Sequence, residues 1–203
     1  MSESSRLHTF LCSRRSVRQF KSAAVAQDVV RRILLTATCA PSAHNRQPWR
    51  FAVVTDANRR SVLADTMAER FREDLERDGM PSDQVEAQVQ RSRGRIGAAP
   101  VVIVLCTDLS EMDQYSDASR AESERTMAVQ STANAGVLLL LAAHAEGLGG
   151  VWNCAPLFAP AAVRQALELP EDWEPQALLM IGKPAEVPRV RSRKPLQEVA
   201  VFL

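Results

Sequence analysis

The chain has 203 residues, with 25 Lys or Arg against 24 Asp or Glu and a net charge of +1. That length suits one domain with a sizeable core, and the balanced charge argues against a general nucleic-acid binder. Four cysteines without a C-x-x-C pair and three histidines without ligand spacing argue against a disulfide framework or a metal site, and imply free thiols in the cytoplasm.

The N-terminus lacks the apolar centre of a signal peptide, and the apolar stretch Ala133 to Ala145 is too short to span a bilayer. Ser5 to Cys12 reads as a short amphipathic helix with Leu7, Phe10 and Leu11 inward. S-R-R-S-V-R-Q-F follows at 13–20. Arg14, Arg15 and Arg18 concentrate charge there beside Ser16. Arginines with a hydroxyl suit a phosphate, though a solvated surface turn reads the same way. Val25 to Thr38 keeps a helical period through Val25, Val29, Val30, Ile33, Leu34 and Ala37.

The next stretch, Cys39 to Phe51, is C-A-P-S-A-H-N-R-Q-P-W-R-F. Pro41 and Pro48 stiffen it, while Ser42, His44, Asn45, Arg46 and Gln47 offer donors and acceptors beside Trp49. It has the make-up of a rigid binding loop for a planar, polar-edged ligand, or of a loop whose polar groups cap each other. Arg50 to Thr55 then reads as a short inner strand, and Thr55 or Asp56 can cap the following helix. Arg59 to Asp78 and Pro81 to Ile96 form a polar helical pair, so residues 56–98 read as a peripheral excursion able to cover a substrate.

P-V-V-I-V-L-C, residues 100–106, reads as a central strand covered on both faces. Thr107 to Ser116 is read as a loop, with Tyr115 as a possible site wall. Asp117 to Glu146 is a long helix, polar at its start and apolar nearly all round later, which marks a core or interface helix. Gly147 can end it in a left-handed conformation. Gly149 and Gly150 open a strand where a ligand could approach the backbone closely. Ala161 to Leu167 is a short helix and Gln176 to Gly182 a buried strand. P-R-V-R-S-R-K-P at 188–195 is a second basic cluster, and the apolar tail Pro195 to Leu203 needs something to pack against.

There is no G-x-G-x-x-G after a strand, no phosphate-loop lysine, no serine elbow and no H-E-x-x-H. The arrangement suits binding and orienting a cofactor that does its own chemistry, with hydride transfer the natural candidate.

R-R-S-V-R-Q-F (14–20), P-S-A-H-N-R-Q-P-W-R-F (41–51), G-L-G-G-V-W (147–152) and G-K-P-A-E-V-P-R-V-R-S-R-K-P-L (182–196) resemble, in order, the flavin-binding motifs of the nitroreductase family. D-A-S-R-A-E-S-E-R-T-M and L-P-E-D-W-E-P further resemble the C-terminal flavin domain of the bacterial coenzyme F420 gamma-glutamyl ligase. The resemblance implies one FMN-binding α/β (α+β) domain over residues 1–203. Its small central sheet would be mixed but mainly antiparallel, with a long interface helix and a C-terminal arm exchanged in a homodimer. It implies that Arg14, Arg15, Arg191 and Arg193 hold the FMN phosphate, with Ser16 beside it and Arg18 toward the ring. Ser42, Asn45 and Gln47, braced by Pro48, would come from the partner, and the Gly149 and Gly150 backbone would support flavin N5 with no catalytic side chain. His44, Arg46 and Tyr115 are the substrate candidates. The implied activity is FMN-dependent oxidoreduction of a small conjugated acceptor, including a dehydro precursor of F420, with NAD(P)H or reduced F420 as donor. A general NAD(P)H nitro- or quinone reductase and a non-catalytic flavin- or deazaflavin-binding protein are the alternatives. No metal, nucleic acid or membrane partner is implied.

Overall fold

The structure is a computed structural model describing residues 2–188 and 190–203, so Arg189 of the second basic cluster lies outside it. Its centre is β2 (Val101–Asp108), every residue of which is buried. Alternate residues of this strand face opposite layers. Val101, Ile103 and Leu105 pack with α2 (Gln27–Ala37) and α5 (Ala118–Ala145). Val102, Val104 and Cys106 pack with α3 (Ala57–Arg77), the end of α4 (Ser82–Ala98) and α6 (Pro160–Leu167). A strand covered on both faces has no polar alternation, which is why 100–106 reads as one apolar run.

β1 (Trp49–Val54), β3 (Gly149–Asn153) and β4 (Trp173–Gly182) complete a sheet of order β1-β2-β4-β3, and every ladder in it is antiparallel. The parallel element expected of a mixed sheet is confined to one bridge, Ser16 to Gly150. β1 is an edge strand, not an inner one, because nothing pairs on its outer side in this order. β2 runs on through Thr107 and Asp108 where a loop was expected, and β4 begins at Trp173, three residues early.

α1 (Glu3–Ser13) forms, but no residue of it is buried, so Leu7 and Leu11 do not point into a core of their own chain. It is held instead at His144, which stacks on Phe10 at 5.0 Å and meets the Ser13 hydroxyl at 2.7 Å. α2 begins two residues after Val25 and buries Val30, Ile33 and Ala37. The Asp56 carboxylate caps α3 by accepting from the Arg59 N–H, and Gly79 at φ 73° ends the turn beyond it. The α3–α4 pair is less peripheral than its polarity implies. Leu63, Met67 and Ile96 sit in the main core, and Ala68, Leu75, Val85 and Val89 form a small core of their own. Val62, on α3 beside the buried Leu63, is exposed.

α5 is long and apolar enough in its window to cross a membrane, but half of that window is buried in the fold. Ala135, Leu139 and Ala143 are core residues, so packing accounts for its apolarity. At Gly136 a Cβ would lie 2.3 Å from the Trp152 ring and 2.7 Å from Leu105, so only glycine lets helix and sheet approach this closely. The tail leaves the body: α7 (Leu196–Val199) and residues 201–203 are exposed, with Phe202 at 88%.

Candidate functional site

The sequence-predicted residues fall into two groups at opposite ends of the sheet. The arginine group is assembled by backbone hydrogen bonds between distant segments. Val17 N–H donates to Gly150 O at 3.0 Å, Lys21 N–H to Lys183 O at 2.8 Å, and Ala185 N–H to Gln19 O at 3.0 Å. These ties lay the segment after α1 along β3 and against the chain leaving β4. They open a cleft of about 1210 Å³ lined by Arg15, Ser16 and Arg18 from one side and Arg191 and Arg193 from the other. Arg14 is on the same segment but does not line it.

That volume exceeds the roughly 300–1,000 Å³ of ordinary small-molecule pockets. Four guanidinium groups of this cleft, on Arg15, Arg18, Arg191 and Arg193, have no carboxylate partner among the described residues. The Arg15 Nε is buried without any hydrogen-bond partner, although its Nη1 donates to the carbonyls of Cys12 and Arg14. A buried unsatisfied donor of this kind is a place for an anionic acceptor. The donor set therefore fits a phosphate-bearing ligand.

Gly149 and Gly150 lie buried beside this cleft, and the chain itself accounts for their smallness. A Cβ on Gly149 would meet Val17 at 2.5 Å, and one on Gly150 would meet Leu140 at 2.7 Å. The close approach they permit is by Val17 and Leu140, where the sequence reading had a ligand.

The second group is the loop before β1. Ser42, His44, Asn45, Arg46 and Gln47 lie near Thr107, because Trp49 pairs with Thr107. The arginine cleft lies beyond the other end, where Val101 pairs with Ile181 and Gly182 pairs with Gly149. From Thr107 to Val101 along β2 is roughly 20 Å at about 3.4 Å per residue. None of these loop residues lines the arginine cleft of the same chain.

The loop is held tightly in a strained shape. His44, Asn45 and Gln47 have φ of 50°, 55° and 51°, three of the four non-glycine residues with positive φ among those described. Such residues cost of order 1–3 kcal/mol each and persist where surroundings hold them. The surroundings are visible. Gln47 N–H donates to the Ser42 hydroxyl at 3.1 Å, Ala43 N–H to Ser131 Oγ at 3.1 Å, and Asn134 Nδ2 to Pro41 O at 3.3 Å. Pro48 is buried and its carbonyl accepts from Asp108 N–H at 2.8 Å, which turns Trp49 into the core. Ser131 and Asn134 on α5 were not singled out from sequence; their signal is polar residues facing a loop from inside an otherwise apolar helix.

Arg46 pairs with Asp113, and Arg50 with both Asp108 and Glu111. Tyr115 carries the Arg120 guanidinium 4.5 Å over its ring. His44 is exposed. Cys106 is buried and its thiol is pushed up to about 12 by desolvation, so it is inert. Cys154 Sγ accepts from Trp152 Nε1 at 3.1 Å. Burial first, then the Arg14 and Arg15 cations, lowers the His144 pKa, so it is neutral at pH 7 and serves as a link between α1 and α5.

Known proteins share this architecture. A 5,6-dimethylbenzimidazole synthase of Rhodospirillum rubrum is 32% identical over 177 residues, covering 85% of this chain and 79% of the relative. A Bacillus subtilis protein provisionally named NAD(P)H nitroreductase YfhC is 28% identical, covering 95% of this chain and 91% of its own. The crystal structure of a provisionally named nitroreductase in complex with FMN, from Desulfovibrio desulfuricans, superposes with a TM-score of 0.73 at 28% identity, covering 97% and 96% of the two chains. The profile of the Nitroreductase family matches residues 11–183, from α1 through the arginine segment and the loop to the strand that ends the sheet, and the chain belongs to that family.

Proposed function

We infer that the protein is an FMN-dependent oxidoreductase that takes a hydride from NAD(P)H and reduces a small conjugated acceptor. The observation that carries this is the cleft of unpaired arginines built against β3 in a nitroreductase-family fold. Arg15, Arg191 and Arg193, with Arg14 on the same segment, would hold the FMN phosphate, Ser16 its ribityl side and Arg18 the ring side. Backbone N–H groups of β3 from Gly149 and Gly150 onward would face the ring. When bound, FMN supplies two-electron transfer between donor and acceptor. The protein's part is to bind, orient and exclude water, and no side chain is assigned as a general base.

The loop group belongs to the same site only if a partner supplies it. A homodimer in which Ser42, Asn45, Gln47 and Pro48 of one protomer reach the arginine cleft of the other accounts for two observations. The loop is about 20 Å from its own cleft by strand rise. Leu7 and Leu11 of α1 and the large apolar side chains of residues 196–203 find no cover among the described residues of their own chain. In that assembly His44, Arg46 and Tyr115 would border the acceptor, under a cover made by residues 56–98.

The test is spectroscopic and anaerobic. The purified dimer carries yellow FMN, and NADH, NADPH and reduced F420 are offered separately while bleaching is followed. Colourless protein that refuses FMN contradicts the reading, as does bound FMN that no donor reduces. The narrower reading, reduction of a dehydro precursor in F420 biosynthesis in the cytoplasm, rests on D-A-S-R-A-E-S-E-R-T-M and L-P-E-D-W-E-P; a yellow protein that neither binds nor turns over the deazaflavin rules it out. The relative at 32% identity favours a second reading, formation of 5,6-dimethylbenzimidazole. Chromatographic detection of that product after aerobic incubation of the reduced protein would establish it in place of acceptor reduction.

A further inference from the structure

A second cleft, of about 730 Å³, opens between α3, α4 and the chain just past β3. It shares Arg91 and Arg95 with the arginine cleft, so the two meet at α4. β3 runs alongside: Gly149 and Gly150 lie beside the first cleft, and Asn153 and Cys154 line the second.

Two aromatic rings from different elements line it, Phe71 of α3 and Phe158 of the turn after β3. One ring would mean little, but the exposed Phe158 and the half-buried Phe71 in one cleft make a slot for a flat apolar body. Phe158 is 72% exposed, so nothing in this chain occupies its face.

The charge in the slot is unbalanced. Four arginines (Arg70, Arg77, Arg91, Arg95) and two aspartates (Asp74, Asp78) line it, leaving two positive charges over. Asp74 is committed to Arg70 and Arg77, each at 2.8 Å. Arg91 and Arg95 pair with no carboxylate among the described residues. They stand one helical turn apart, where like charges repel. Gly94, next to Arg95 on α4, lines the first cleft and not this one, so Arg91 and Arg95 stand where the two clefts meet. An anionic group set there meets two planar forks of donors.

We propose that this second cleft is the acceptor subsite and that it selects flat aromatic molecules carrying an anionic substituent, a carboxylate or phosphate, with the ring on Phe71 and Phe158 and the anion on Arg91 and Arg95. The proposal rests on the oxidoreductase reading for the reaction but not for the binding. For a nitro acceptor the balanced step is Ar–NO2 + NAD(P)H + H+ → Ar–NO + NAD(P)+ + H2O. One N–O bond breaks, and the oxygen leaves as water with two protons.

The probes are 4-nitrobenzoate and nitrobenzene, which differ only in the carboxylate. Calorimetric titration of the oxidised protein as purified, without donor, shows 4-nitrobenzoate bound at least ten-fold more tightly. The Arg91→Gln/Arg95→Gln protein loses that preference, and Phe158→Ala weakens both ligands together. With NADPH as donor, the ratio of kcat/KM for the two acceptors falls at least ten-fold in the double variant. Equal binding of the two probes by the wild type overturns the proposal, as does a preference that survives in the double variant. Flavin content is measured on every sample. Protein without flavin contradicts the oxidoreductase reading and leaves the binding comparison intact. Gln is a good helix former, and circular dichroism confirms that α4 persists.

Discussion

The two ends of the sheet are built on opposite principles. At the β3 end, guanidinium groups face a wide cleft and are left unpaired, one with a buried donor that nothing satisfies. At the β1 end, a short loop is strained at three residues and tied by hydrogen bonds to Ser131, Asn134 and Asp108. The first end has binding capacity without closure. The second has rigid, pre-shaped polar groups that line neither of the two clefts described above. The difference fits the proposal that the two ends make one site only across a dimer. In that proposal one end would supply charge and the other a preset edge pressed against a ligand held by the partner.

The largest effect should come from the charged end. Arg15→Ala removes a charge-assisted contact worth about 1.5–3 kcal/mol, so FMN affinity falls roughly 10- to 150-fold by fluorescence titration. An unchanged affinity would mean the cleft is not the phosphate site. Gly149→Ala should act through Val17 by pushing the 16–20 segment off β3. Overpacking of this kind costs about 1–3 kcal/mol, and the variant should lose both thermal stability and FMN. Loss of FMN at full stability would instead place a ligand atom against Gly149. At the strained end, Ser131→Ala leaves the Ala43 N–H unpaired and costs about 1–3 kcal/mol. Faster hydrogen exchange confined to residues 42–47 is the expected signature, with weaker FMN binding following from it.

The two smallest effects mark what the comparison leaves out. His144 is neutral in the fold with its pKa lowered, so protonation favours the unfolded chain. Its contribution is intact at neutral pH and is lost as the pH falls below about 6.5 toward the lowered folded value. His144→Gln should flatten that part of the stability–pH curve measured by denaturant titration. Cys154→Ser should leave flavin reduction by NADPH within about two-fold in stopped-flow traces, because among the described residues the thiol's one side-chain hydrogen bond is accepted from the Trp152 ring N–H and no base stands beside it. Abolished reduction would give the thiol a role in the chemistry.

How much of this was legible in the sequence follows from distance along the chain. α5, the Asp56 cap and the Gly147 stop are local signals and stand where the residue pattern puts them, and β2 does so except at its last two residues. The basic clusters near 14–18 and 191–193 were visible as clusters. Their meeting was not derivable from residue pattern, because it depends on hydrogen bonds such as Val17 to Gly150 that link segments more than a hundred residues apart. Edge or centre placement of β1 is a property of sheet order, which periodicity does not carry. Leu7 and Leu11 show an apolar face without showing what covers it. The second cleft was missed because Arg91, Arg95 and Phe158 each look like ordinary surface residues and Phe71 reads as part of the apolar side of its helix; the readable trace was two arginines four apart.

The shared site is best tested by mixing defects across the interface. One protomer carries Arg15→Ala/Arg193→Ala and the other Asn45→Ala/Gln47→Ala, and the differently tagged heterodimer is purified and titrated with FMN. Each homodimer of a variant should bind FMN poorly at both sites. In the heterodimer one site inherits both defects and the other inherits none, so one tight FMN per dimer is expected. No tight FMN in the heterodimer would mean that arginines and loop act within a single chain, contrary to this account.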